Sequence, residues 1–177
     1  HLGWQRIRAG HLGDPQTISS ATGPNIFVDA RLMWLMPFYG KDGIDIAKNS
    51  ATNDPDPEMR LVAFRSLRQA GQDLSQVISK LCEDEAPFVR AAVATSLRDA
   101  PADQSIDALI KIGRLFDGRD RSYLDAFGIG CTDKESEVYT ALAKNAGDSR
   151  KWSAPMTGIA WRLGAPESVP DLVKRIK

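Results

Sequence analysis

Histidine and cysteine are almost missing from this chain, with two of each in 177 residues. Cys82 and Cys131 lie far apart with no CxxC spacing, so neither a disulfide nor a thiolate metal framework is expected. They read as small buried hydrophobes with inert thiols. His1 and His11 are too few for a mononuclear zinc or iron site, which wants several nitrogen or sulfur ligands in convergent spacing. His11 follows Trp4 and Ile7 at helical spacing, which suits packing better than general acid–base work. A net charge is also lacking: 23 basic side chains balance 23 acidic ones, with no Lys/Arg run to draw in nucleic acid or an anionic membrane. The longest apolar run, Leu32 to Tyr39, is too short to span a bilayer and contains Pro37. No signal peptide is visible, and a start at His1 rather than Met suggests a piece of a longer protein.

Chemistry-bearing motifs are missing too. GxSxG, HExxH and a phosphate loop ending in GK[ST] do not occur. FGIG at 127–130 is a fragment of a dinucleotide fingerprint, but position 133 is Asp and no strand pattern precedes it. FDGRDRSYLD, from Phe116 to Asp125, gathers three acids without the alternating oxygen ligands and closing Glu of a calcium loop. It reads as a long turn with Asp120 as a helix cap. No catalytic residue, cofactor-binding residue, cofactor or metal ligand is therefore nominated.

What the chain does have is a period. DPDPEMRLVAFRSLRQA (Asp54 to Ala70) returns thirty residues later as DEAPFVRAAVATSLRDA (Asp84 to Ala100). Asp56 is a good N-cap and Pro57 suits a first helical position. The shift aligns Met59 with Val89, Arg60 with Arg90, Ala63 with Val93 and Leu67 with Leu97, one face of a helix. Leu61 and Phe64 add a second apolar face, as a helix in mid-stack requires. A second stripe follows each such helix: Leu74, Val77, Ile78 and Leu81; Ile106, Leu109, Ile110 and Gly113; Val169, Leu172, Val173 and Ile176. Weaker copies start at Val138, Ile44 and Ile18.

Arg31, Arg60, Arg90, Arg121 and Arg150 recur at intervals near thirty. The pattern predicts an all-α fold, an α-solenoid superhelix of five to six helix–turn–helix repeats in a single domain spanning 1–177. The repeats are expected near 1–24, 25–53, 54–84, 85–117, 118–148 and 149–177. Pro37 should end a helix at about Met36, and Pro155 and Gly158 should confine the last first-helix to Met156–Leu163. Trp4, Trp34, Trp152 and Trp161 fall on predicted helices; most should be core, with one or two part-exposed on a groove.

These residues resemble HEAT repeats, which belong to the armadillo-like helical arrays, and in particular the short type first noted in phycobilin lyase subunits. DPDPEMRLVAFRSL is similar to that family's first helix, and APESVPDLVKRI to its second. WQRIRAGHLGD, FVDARLMWL and FDGRDRSYLDAFGIG also resemble the HEAT segment of large exported bacterial membrane-bound dehydrogenases, which join a β-propeller, a HEAT array and a cytochrome c-type domain. That second likeness would imply a periplasmic or exported spacer between catalytic modules. The HEAT resemblance implies a structural Asp–Arg ladder, with Asp54, Arg60, Asp84, Arg90 and Arg121 as candidates, the alternative being an arginine row that grips an anionic ligand; the six-residue Asp–Arg spacing fails at Arg31, Arg121 and Arg150. The expected role is a non-catalytic, monomeric scaffold contacting proteins or neighbouring domains of its own chain, with no nucleic acid partner and no membrane insertion. The alternative is a HEAT-like enzyme subunit, resembling a chromophore lyase or a DNA-base-excision protein.

Overall fold

Helix starts in this protein follow local chemistry. In the computed structural model, which describes residues 26–176, Asp56 Oδ1 accepts a bond from the Glu58 amide at 2.9 Å, and Pro57 fills the first turn of the helix it opens. Asp120 caps the helix beginning at Arg121 in the same way, accepting from the Ser122 amide at 2.8 Å. Ser153 Oγ accepts from the Met156 amide and starts the helix Ala154–Leu163. Pro155 lies in that helix's first turn, where its missing N–H is no loss. It therefore opens the helix instead of interrupting it, and regular helix begins two residues earlier than Met156. Pro37 acts as expected: an α-helix stops at Leu35 and a 3-10 turn, Met36–Phe38, follows.

Among the described residues there are ten α-helices and no strand. They are α1 (Ile26–Leu35), α2 (Gly40–Asn53), α3 (Pro57–Gln69), α4 (Ser75–Leu81), α5 (Pro87–Ser96), α6 (Ala102–Arg114), α7 (Arg121–Gly130), α8 (Glu135–Ala146), α9 (Ala154–Leu163) and α10 (Val169–Ile176). The chain divides into two compact units between Val77 and Ile78, within α4.

In the first unit α3 packs on both α1 and α2. It can serve two neighbours because Met59, Ala63 and Leu67 on one side and Phe64 on another are all buried. On α2 the matching face is small: Ala47 and Ala51 have no exposure, which lets helix axes approach closely. In the second unit the first helices of successive pairs lie side by side, α5 on α7 and α7 on α9, while α6 packs on α8 in the other layer. Val89, Val93, Leu97, Phe127 and Ile159 from the first layer and Leu109, Ile112, Val138 and Leu142 from the second are buried. This is the stacking of an all-α solenoid, in which no helix pair can cover both of its own faces.

Leu67 and Leu97, thirty residues apart, are 0% and 2% exposed, while Arg68 beside Leu67 is exposed. Leu97→Ala is expected to cost roughly 2–5 kcal/mol, and Arg68→Ala about 0.5 kcal/mol at most. Denaturant melts check this, and equal losses would mean the helix faces are misassigned.

The stripe on α10 behaves differently from the pattern. None of its residues is buried, and Val169, Val173 and Ile176 are exposed. α10 packs on α9 and on the turns 149–151 and 166–168. Those contacts lie to one side, so much of the apolar stripe stays open.

Candidate functional site

Arg90, on the second turn of α5, is 7% exposed yet has no carboxylate partner among the described residues. Its Nη1 donates to the backbone carbonyls of Asp84 and Glu85, the latter at 3.0 Å. Its Nη2 donates to the Leu115 carbonyl at 3.2 Å, and its Nε to the Tyr123 hydroxyl at 3.1 Å. The Tyr123 hydroxyl in turn donates to the Ile112 carbonyl at 2.7 Å, and the guanidinium carbon lies 5.3 Å from that ring's centre. Leu115 is the C-cap of α6, so the cation sits at the negative end of a helix dipole. Five donors in a fixed fork let one side chain satisfy carbonyls from two turns and tie α5 to α6 and α7.

Arg60 repeats part of this geometry in the first unit: also 7% exposed, its Nη1 donates to the carbonyls of Asp54 at 2.8 Å and Pro55 at 3.3 Å. The two aspartates use their carboxylates locally. Asp54 Oδ1 accepts from the Asp56 amide at 3.0 Å, and Asp84 Oδ1 from the Ala86 amide at 2.9 Å. Each forms a side-chain turn that aims the chain into the next helix. In these bonds the guanidinium meets the aspartate's peptide carbonyl, while the carboxylate accepts the amide two residues on.

Arg121 stands apart. It is exposed and pairs with Asp125 at 3.4 Å one turn along α7. Arg31 and Arg150 are exposed too. The helices α3, α5, α7 and α9 begin at Pro57, Pro87, Arg121 and Ala154, at separations of 30, 34 and 33. The arginine spacing near thirty therefore drifts off the helix register after α5. At the helix position held by Arg60 and Arg90, the fourth, α7 has Leu124.

Three other cations link elements of the second unit. Lys134 is 6% exposed, and its Nζ donates to the carbonyls of Leu97 and Arg98 at 3.3 and 2.8 Å, capping the C-terminal end of α5. Arg162 on α9 reaches α7, with Nη2 at 3.2 Å from the Asp125 carbonyl and Nε at 3.3 Å from its carboxylate. Gly128 makes room for it: a Cβ there would lie 2.2 Å from the guanidinium carbon. Gly130 lets α7 touch α5, since a Cβ there would lie 2.3 Å from the Ala94 carbonyl oxygen. The FGIG stretch is thus a close-packing surface on a helix. Arg175 Nη1 donates to the carbonyls of Ser149 and Trp152 at 2.7 and 3.1 Å.

Both thiols are buried. Burial pushes Cys82 up, and pushes Cys131 up to about 12 from the ordinary 9.0. Tyr123 and Tyr139 are also raised, burial being the first cause in each. Tyr139 additionally donates to Asp171 Oδ2 at 2.7 Å, and that bond holds the Asp171 carboxyl below its usual range. For all four raised groups the folded value exceeds the unfolded one. Their stabilisation is full below the unfolded values, 9.0 for the thiols and 10.0 for the phenols, and is lost as pH rises above them. The melting temperature is expected to fall between about pH 8 and about pH 11. A thiol reagent at neutral pH should find no reactive cysteine until denaturant is added; fast native labelling would contradict the assigned burial.

Described residues of the first unit line open clefts. One, about 410 Å³, is lined by Asp29, Met33, Asn49 and Met59 among others, and Asp29 Oδ1 is buried there without a hydrogen-bond partner. Another, about 460 Å³, is lined by Trp34, Arg65, Arg68 and Gln69. Trp34 is half-buried on α1; Arg65, Arg68 and Gln69 are exposed on the last turns of α3. The tryptophans divide as follows: Trp152 is buried, in a turn and not on an α-helix, its indole N–H donating to the Gly147 carbonyl, while Trp161 on α9 is 65% exposed. Trp4, His1, His11, the stripe at Ile18 and the expected repeat 1–24 lie outside the described residues. Among the described residues no helix is long and apolar enough to cross a membrane, and no group of three His, Cys, Asp or Glu side chains is placed to hold a metal ion.

No curated protein and no solved structure matches the chain. Residues 44–122, running from α2 to the start of α7, match the family model of HEAT repeats, and this match together with the stacked helix pairs supports a HEAT-repeat domain.

Proposed function

We propose that this chain is a non-catalytic helical-repeat scaffold, monomeric, whose exposed helix faces contact a protein partner or neighbouring domains of its own chain. HEAT repeats generally mediate protein–protein contacts, and the match over residues 44–122 is the observation that carries the reading. The buried cations fit it. Buried Arg90 and Lys134 and half-buried Arg175 are committed to backbone carbonyls and act as cross-braces between helices, which suits a rigid frame. The ladder proposed for Arg60 and Arg90 is in this sense structural, built on carbonyls, and Arg121 contributes a surface ion pair.

The resemblance to exported dehydrogenases gives the spacer role a concrete form: the domain would hold a propeller and a haem module at a set distance. Turnover assays on the purified domain test the general reading, covering quinone-linked sugar oxidation, chromophore transfer and damaged-base excision. The expected result is no activity in any of them. Activity lost on changing one exposed cleft residue, with helicity retained, would establish the enzyme alternative.

A further inference from the structure

The cleft lined by Trp34 on α1 and Arg65, Arg68 and Gln69 on α3 sets two exposed arginines beside a half-buried tryptophan. Most cations described above are engaged: Arg90 and Lys134 bond to carbonyls, and half-buried Lys111 and exposed Arg121, Arg150 and Lys174 pair with Glu83, Asp125, Asp148 and Asp171. The guanidinium groups of Arg65 and Arg68 make no ion pair or hydrogen bond with the described residues. Their helical neighbours explain why. Positions three and four away from Arg65 are Leu61, Val62, Arg68 and Gln69; those from Arg68 are Phe64, Arg65, Gly71 and Gln72. No acid is among them, and the two arginines, three apart on one face, repel each other.

We infer that this cleft is a docking site for an acidic, extended segment of a partner protein, with two carboxylates on Arg65 and Arg68 and an apolar side chain against Trp34. The inference deepens the scaffold reading and rests on it. Charge complementarity selects an acidic occupant, because two uncompensated guanidinium forks are arranged for carboxylates. The spacing selects an extended one. Arginines three apart on a helix have Cβ atoms roughly 5–6 Å apart, and side chains two apart on a strand share a face at roughly 6.5 Å. Glutamates in an alternating Glu-x-Glu register therefore match the pair, and the next residue on that face falls toward the tryptophan. Openness argues against a small molecule: among the described residues four side chains line about 460 Å³, whereas a small-ligand site encloses most of its ligand. The balanced charge of the chain argues against nucleic acid, which needs a longer positive track. Tryptophan and arginine are also the side chains that dominate binding energy at protein interfaces.

Fluorescence anisotropy of a labelled peptide, Gly-Glu-Ser-Glu-Ser-Phe-Gly, against the whole 177-residue chain tests the inference. Binding is expected, weakening with added salt. It should drop at least about tenfold for the Arg65→Glu, Arg68→Glu double variant, and by a similar factor when the glutamates of the peptide become glutamines. Both arginines are exposed, so circular dichroism and the melting temperature of the variant should stay at wild-type values. Failure of the acidic peptide to bind, or equal binding by the glutamine peptide or to the double variant, would overturn the inference. So would an oligothymidylate that competes for the cleft more strongly than the peptide, which would assign it to nucleic acid. A peptide that does not bind leaves the scaffold reading standing, because that reading falls only on turnover.

Discussion

Arg90→Ala is expected to lose roughly 3–5 kcal/mol of unfolding free energy, because it strands two buried and two part-buried acceptors at once. The carbonyls of Asp84, Glu85 and Leu115 and the hydroxyl of Tyr123 all take hydrogen bonds from this one guanidinium. Water cannot easily replace it, since the site is closed: Arg90 is 7% exposed and Tyr123 2%. Arg121→Ala removes only a surface ion pair and should cost little. A double-mutant cycle locates the partner. Arg90→Ala with Tyr123→Phe should show coupling of about 0.5–3 kcal/mol, and Arg90→Ala with Asp84→Ala much less, because the Asp84 carboxylate accepts from the Ala86 amide. Strong coupling to Asp84 with none to Tyr123 would restore an acid–guanidinium ladder and reject the carbonyl brace.

Gly130→Ala is the second large effect. Ordinarily a helical Gly→Ala change stabilises, by up to about 1 kcal/mol. Here the added carbon would sit 2.3 Å from the Ala94 carbonyl oxygen, on the backbone of α5, and 3.0 Å from Leu109. Backbone cannot rotate away as a side chain can, so α5 and α7 must separate, at a net cost of about 1–3 kcal/mol or more. Gly158→Ala, on α9, is the control. Its nearest atoms would lie at 3.7 Å, so that substitution should be neutral or stabilise by about 0.5–1 kcal/mol. Melts of the two variants moving in the same direction would mean that the close approach of α7 to α5 is wrong.

Much of the fold was legible residue by residue. The alignment of Met59, Arg60, Ala63 and Leu67 with Val89, Arg90, Val93 and Leu97 corresponds to eight buried positions. Asp56 and Asp120 cap the helices they precede, and Pro37 ends one. These succeed because helix periodicity, capping and proline geometry act over a few residues and leave a mark in the one-dimensional pattern. The site was less legible. Arg60 and Arg90 stood out by spacing, but both donate to peptide carbonyls, and every residue has one. The same reason hid Lys134, Arg162 and Arg175, whose partners lie 23 to 37 residues away along the chain.

By itself the sequence determined most of the helices and, α10 apart, the faces they bury, since each depends on a local periodicity of apolar side chains. Only tertiary structure decided what the charges do. Lengthening the helix-start interval from 30 residues to 34 moved Arg121 out of the place held by Arg60 and Arg90, onto the surface. Packing of α1 on α3 placed Trp34 beside two arginines with no acid at helical reach, and left that corner charged. Whether a guanidinium braces a frame or waits for a partner depends on which atoms come within about 3 Å of it, and that distance is set by helices meeting across the stack.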